Sequence, residues 1–247
     1  MTEPGSLIGG ATLLAESVVS LTRAALIVPL LMRERFYVHG PVRPRRDDII
    51  IDAGANVGLY ACWAARRLSP WGRVWAFEPE PKNYARLRRL VACLALEAKV
   101  KPVPLALGAE SGQLRLELVG WGSASGAIEG RSGKAATVEK TTIDHFVAAH
   151  DLPYVSFIKM DIEGMEREAL AGACRTITTW RPRLAVCTYH LPDDPEVIPA
   201  LIGAICPGYR IIQTRSKLYA WHPKEHPGPS RPWDVVGEEP IQAGSIP

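Results

Sequence analysis

Short apolar runs and segments of helical spacing take turns along the chain. The stretch from Asp48 to Ala53 shows the first kind: Ile49, Ile50 and Ile51 are unbroken and β-branched, as expected of a strand buried on both faces, and a strand is predicted over 48–53. Helix 57–68, strand 73–78, helix 82–96 and strand 98–105 follow. After an interruption come helix 141–150, strand 155–161, helix 164–173, strand 183–189, helix 195–205 and strands near 209–213 and 217–221. Strands separated by helical stretches predict βαβ units and a mainly parallel sheet. The interruption carries glycine at 108, 112, 120, 122, 126, 130 and 133 around Leu114-Arg-Leu-Glu-Leu118, which alternates as a half-exposed strand does. It predicts an antiparallel hairpin and a mobile loop, 119–136, near the functional site, since loops of that length are usually functional or disordered.

The two ends read differently. Leu13, Leu14, Val18, Leu21, Ala25 and Val28 fall on one helical stripe, so residues 7–32 are expected to cover part of the domain or its cleft. Glu16 and Arg23 limit the longest uncharged stretch to 12 residues, too short to span a bilayer. Contact with a membrane surface and a homodimer contact are the other uses of such a stripe. At the far end, prolines at 223, 227, 229, 232, 240 and 247 predict a surface strap with a loose terminus. The expected organisation is a helical cap over 1–46, one α/β domain over 47–222 and a proline-rich tail over 223–247.

Composition narrows the classes. With 247 residues, 47% hydrophobic and 22% charged, the chain suits one full α/β domain with additions. A net charge of +3 and a pI of about 8.6, without a Lys/Arg tract interleaved with aromatics, do not imply nucleic acid. Cysteines at 62, 93, 174, 187 and 206 are odd in number and have no C-x-x-C spacing. They read as thiols in a reducing compartment, which predicts a cytoplasmic protein, with membrane association left to the 7–32 stripe.

The chemistry begins where the first strand ends. Ile51-Asp-Ala-Gly-Ala-Asn-Val-Gly58 passes from strand to helix through an acid and two glycines, the form of a nucleotide-binding turn. The G-x-G-x-x-G spacing of pyrophosphate sites is missing, and Asp52 at the strand tip suits a cationic, phosphate-free ligand better. Glu78 arrives 26 residues later at the tip of the neighbouring strand, in Ala76-Phe-Glu-Pro-Glu-Pro81, where an acid can take both hydroxyls of a ribose. A carboxylate near an ammonium and sulfonium, with another on a ribose, describes S-adenosylmethionine. An NAD-dependent oxidoreductase fits Glu78 but not Asp52, and a non-enzymatic membrane-associated module would make both dispensable. The expected cofactor contacts are Asp52, Gly54, Ala55, Asn56 and Gly58 from the turn and Phe77, Glu78 and Pro79 from the second strand, with Leu105 and Ala106. Asn56 can cap the helix or bind the methionine carboxylate; Phe77, Leu105 and Ala106 can line an adenine slot or be plain core.

A third cluster, Phe157-Ile-Lys-Met-Asp-Ile-Glu-Gly-Met-Glu166, ends a strand with three acids. Together with IDAGANVG, AFEPEP, Leu105-Ala-Leu-Gly108 and Thr142-Ile-Asp144, it resembles the FkbM family of S-adenosylmethionine-dependent methyltransferases over roughly residues 47 to 213. The resemblance implies a Rossmann-like class I methyltransferase fold, a seven-stranded, mainly parallel sheet with its last strand antiparallel and helices on both faces. It also implies O-methylation of a small-molecule hydroxyl, on a sugar, glycolipid or polyketide-type product, with N-methylation as the variant. Asp161 then borders the transfer cleft, as a catalytic group and also a cofactor contact. His190, at the next strand tip, is expected to be the general base, with an imidazole near neutral pKa. Asp161 is expected to orient His190, to hold the acceptor hydroxyl, or to share a divalent ion such as Mg²⁺ with Asp193 or Asp194, His190 being a further candidate ligand. Relatives often carry Glu at or near Thr188, and its absence here puts the usual roles around that strand in doubt. Of Glu163 and Glu166, one is expected to serve only the helix N-terminus, and Lys159 to neutralise one of the carboxylates.

Overall fold

A computed structural model describes residues 37–118 and 134–224. The 7–32 stripe, loop residues 119–133 and the tail from 225 onward lie outside the described residues. The elements are β1 (Ile49–Ala53), α1 (Leu59–Ala65), β2 (Arg73–Phe77), α2 (Pro81–Cys93), β3 (Val100–Val103), β4 (Ala106–Leu107), β5 (Gly112–Leu118), β6 (Lys134–Thr141), α3 (Ile143–Ala149), β7 (Phe157–Met160), α4 (Glu166–Ala171), α5 (Cys174–Trp180), β8 (Arg183–Cys187), α6 (Asp194–Ile205), β9 (Arg210–Gln213) and β10 (Lys217–Trp221). Seven of the strands form one sheet in the order β3-β2-β1-β7-β8-β10-β9. All run parallel except β10, which is antiparallel to both its neighbours. The crossover falls between β1 and β7, where sheet order jumps by more than a hundred residues and where ligands bind in open α/β sheets.

Period-two alternation sorts the strand residues into two layers. Ile51, Ala53, Phe77, Ile158 and Met160 face Leu170, Ile177 and Ile198. Ile50, Val74, Phe157 and Ala185 face Tyr60, Ala61 and Leu87 on the other side. β1 and β8 therefore bury every residue, which is why Ile49–Ile51 and Leu184–Cys187 read as unbroken apolar runs. The expected hairpin is β5 paired antiparallel with β6, and β4 joins β6 to make a separate three-stranded sheet. Its second strand starts at Lys134 rather than after 136.

The expected helix 164–173 is shorter, and an unexpected one follows it. Glu163 (φ 56°) and Gly164 (φ 99°) turn the chain through the left-handed region, so helix geometry begins only at Glu166 and runs to Ala171. A second helix, Cys174–Trp180, follows. Thr176, Ile177, Thr178 and Thr179 are β-branched and poor helix formers, which hid it from a periodicity reading. What starts it is distant in sequence: the Asp144 carboxylate accepts from Arg175 N (2.8 Å) and from Thr176 N (2.7 Å) and Oγ1 (2.6 Å).

Candidate active site

The tips of β1 and β7 meet with almost nothing between them. Gly54 has φ +75°, and a Cβ there would lie 1.9 Å from the carbonyl oxygen of Asp161, so only glycine allows the contact. The register places Asp52 directly opposite Lys159. Both are fully buried, and Lys159 Nζ lies 2.9 Å from Asp52 Oδ1 while also donating to the carbonyls of Ala53 (3.1 Å) and Gly54 (2.7 Å). Burial opposes the charge on Lys159, but Asp52 and then Asp161 outweigh it and hold the ammonium protonated. One lysine thus neutralises the β1 acid and pins the glycine turn.

A cleft of about 640 Å³, open to solvent, lies over these tips. Its floor and walls include Gly54, Asn56, Phe77, Glu78, Pro79, Leu105, Ala106 and Asp161, eight of the residues expected to meet the cofactor. The other three do not line it. Asp52 is buried behind the cleft, where the cation beside it is the chain's own Lys159. Ala55 packs in the inner layer. Gly58 (φ +90°) packs against Leu87 of α2, where a Cβ would be 2.4 Å from Leu87 Cδ1. Asn56 does not cap α1, which has no side-chain cap. Leu114 and Leu116 of the hairpin, with Leu107, Ile162 and Met165, also line the cleft. Their leucine alternation is the sequence signal that could have placed them there.

Glu78 is held firmly. Its Oε2 accepts from Asn56 N (2.8 Å) and its Oε1 from Glu80 N (3.0 Å), so two strand tips orient one carboxylate. Burial pushes its acid up to about 7, although both backbone N–H groups favour the ionised form. Each oxygen keeps a lone pair for another donor. Glu80 has a separate task, capping α2 through Lys82 N and Asn83 N.

Around Asp161 the chain gathers a polar cluster. The Tyr37 hydroxyl donates to Asp161 Oδ2 at 2.5 Å, and Tyr189 Oη to Oδ1 at 3.3 Å. Burial would raise the Asp161 acid, but Lys159 and the Tyr37 hydroxyl bring it below the ordinary carboxylate range. Tyr37 is raised far above a normal phenol by burial and by the Asp161 charge, so it stays a donor. No local pattern marks Tyr37, which lies 124 residues from its partner.

His190 lies in the same cluster, but not as a neutral base. Nδ1 is 2.9 Å from Glu166 Oε1, and Nε2 is 3.3 Å from Glu163 Oε2 and 3.6 Å from Asp161 Oδ1. Burial pulls the imidazole down, yet Glu163 and Glu166 overcome it and push the ring up to about 10. At neutral pH the ring carries its proton among these carboxylates, so the expected neutral pKa is not found. Glu166 is the structural acid of the pair: it is buried and accepts from Ile162 N (2.8 Å) and Gly164 N (2.9 Å). The expectation that Asp193 and Asp194 share an ion with Asp161 fails as well. Arg167 takes both, with Nη2 2.5 Å from Asp193 Oδ1 and Nε donating to Asp194 Oδ1 at 2.8 Å, while Asp194 Oδ2 caps Leu191 N.

Comparison with known proteins agrees with this architecture. Residues 52–207 match the methyltransferase FkbM domain. The hexuronic acid methyltransferase AglP of Haloferax volcanii is 26% identical over 160 residues, which cover 64% of this chain and 62% of that protein. The 31-O-demethyl-FK506 methyltransferase FkbM of Streptomyces tacrolimicus is 24% identical over 234 residues, or 82% of this chain and 88% of that one. The crystal structure of methyltransferase FkbM from Methylobacillus flagellatus superposes with a TM-score of 0.58 at 23% identity, covering 74% of this chain and 45% of that one, and shows the shared fold. The match thus spans less than two thirds of AglP and less than half of the solved chain. With more than half of its own length matched to the domain, this chain belongs to the FkbM family of S-adenosylmethionine-dependent methyltransferases.

Proposed function

We propose that this protein transfers the sulfonium methyl of S-adenosylmethionine to a hydroxyl of a small acceptor, a sugar or a polyketide-type product. The observation that carries the cofactor half is Glu78, a carboxylate fixed by two backbone N–H groups on the floor of an open cleft, beside the apolar wall of Phe77, Leu105 and Ala106. That combination suits a ribose edge and a flat base. The names of the two curated relatives, one acting on a hexuronic acid and one on a demethylated FK506, support a small hydroxylated acceptor. In the transfer the methyl carbon leaves sulfur as the acceptor oxygen bonds to it, the sulfonium becomes a thioether, and the hydroxyl proton is released. The protein's contribution is alignment and a place for that proton. Asp161, ionised and at the cleft edge, is the group to hold the hydroxyl. His190, carrying its own proton at neutral pH, is a positioning residue for the carboxylates around it.

Calorimetric titration with S-adenosylmethionine tests the cofactor half. Loss of a hydrogen bond to a charged acceptor costs about 1.5–3 kcal/mol, so Glu78→Ala should weaken binding roughly ten- to hundredfold. The wild-type affinity should also depend on pH in a particular sense. Ribose hydroxyls donate to the ionised carboxylate, and Glu78 takes up a proton as pH falls through about 7, so binding should weaken on acidification, by up to about tenfold between pH 8 and pH 6. An affinity unchanged by the substitution removes Glu78 from the ribose.

A further inference from the structure

The His190 side chain is only 7% exposed, yet neither ring nitrogen makes a hydrogen bond of ordinary geometry. The 2.9 Å approach of Nδ1 to Glu166 is off the axis of a linear bond, and the 3.3 and 3.6 Å separations of Nε2 from Glu163 and Asp161 exceed the roughly 2.7–2.9 Å of a charge-assisted one. A buried ring so placed has Nε2 beside two half-buried carboxylates that line the cleft, where it can serve as a ligand once its proton is displaced.

The spacing suits a cation. Neighbouring ligands of an octahedral ion with bonds of about 2.1 Å sit roughly 3.0 Å apart. One donor atom each from Asp161, Glu163 and His190 lies within 4.8 Å of the other two, a set that modest side-chain rotation draws together. The outer contacts are those that ligands of a metal need. Glu166, itself fixed by two backbone N–H groups, stands behind the imidazole with Oε1 2.9 Å from Nδ1. The Tyr37 hydroxyl holds Asp161 Oδ2, while Oδ1, which also accepts from Tyr189 Oη at 3.3 Å, faces Nε2. Such partners orient metal-binding histidines and carboxylates and sustain their affinity.

We infer that Asp161, Glu163 and His190 form a site for one divalent cation of the Mn²⁺ and Mg²⁺ class at the acceptor end of the cleft. Two carboxylates with one imidazole favour Mn²⁺ over Mg²⁺. Binding displaces the imidazole proton, and three protein ligands leave open positions on the cleft side. A hydroxyl bound there ionises more readily, which is what a methyl acceptor needs. That role rests on the methyl-transfer reading; the site itself does not.

The test uses Mn²⁺ alone with the purified full chain, the free ion being followed by electron paramagnetic resonance. One saturable site per chain is expected, with nitrogen coupling from an imidazole in the pulsed spectrum. His190→Asn should abolish that coupling, and both it and Glu163→Gln should weaken binding at least about tenfold. Glu168→Gln, which removes the same charge from an exposed position of α4, should leave binding unchanged. Absence of a saturable site in the wild type, or affinity that His190→Asn and Glu163→Gln leave intact, overturns the inference. Calorimetry with S-adenosylmethionine on chelator-treated protein separates the two readings: cofactor binding without Mn²⁺ binding refutes the cation site alone, and Mn²⁺ binding without cofactor binding refutes the methyl-transfer reading alone.

Discussion

Replacing Lys159 with methionine should lower the stability of the protein by about 3–5 kcal/mol, read as a shift of the urea midpoint at unchanged slope. The substitution keeps the length of the side chain and removes its charge. It leaves Asp52 fully buried with no counter-charge and frees the carbonyls of Ala53 and Gly54 from the donor that now holds them. A lone buried carboxylate is costly, whereas an apolar pair of similar volume often is not. Asp52→Leu combined with Lys159→Met should therefore recover much of the loss that Lys159→Met causes alone, a coupling that a double-mutant cycle measures directly. A midpoint that Lys159→Met does not move would mean that Asp52 is accommodated as a neutral acid, and that the glycine turn is held by backbone alone.

Asp161→Asn should lower kcat by about 10²–10⁴ while leaving the affinity for S-adenosylmethionine nearly unchanged. The amide keeps the shape and can still meet the hydroxyl of Tyr37, but it no longer offers a charge to the acceptor proton. The assay follows a labelled methyl group from the cofactor into an acceptor identified by mass spectrometry, in single turnover so that chemistry rather than product release is observed. Unchanged single-turnover rates would remove Asp161 from the acceptor. A weakened cofactor with unchanged chemistry would instead make it a cofactor contact in the cleft that it lines.

The parts of this site that could be read from sequence are those whose cause is local. Ile49 to Gly58 announces a buried strand and a turn because β-branched runs and glycines at strand tips constrain the backbone within a few residues. Glu78 followed by Pro79 was legible in the same way. What depends on register was not. The pairing of Lys159 with a carboxylate is foreseeable from the alternation of its strand, but the choice of Asp52 follows from the alignment of β1 with β7, which no window of either strand contains. Arg167 reaches Asp193 and Asp194 across 26 and 27 residues and so removes them from an otherwise reasonable ligand set. Tyr37 reaches Asp161 from a segment without any periodic signal. The basicity of His190 is the sharpest such case: the residue was in view, yet its charge state is set by Glu163 and Glu166, which only the left-handed turn at 163–164 brings round to it.

The near-contact of Gly54 with the Asp161 carbonyl ties two walls of the cleft together. On the proposed reading, the cofactor turn and the acceptor-side strand tip meet main chain to main chain at this point, so their spacing would be set by backbone rather than by the choice of side chains. On that reading a different acceptor would be accommodated by changes in the segment after β8 and in the hairpin leucines that line the cleft, leaving that spacing untouched.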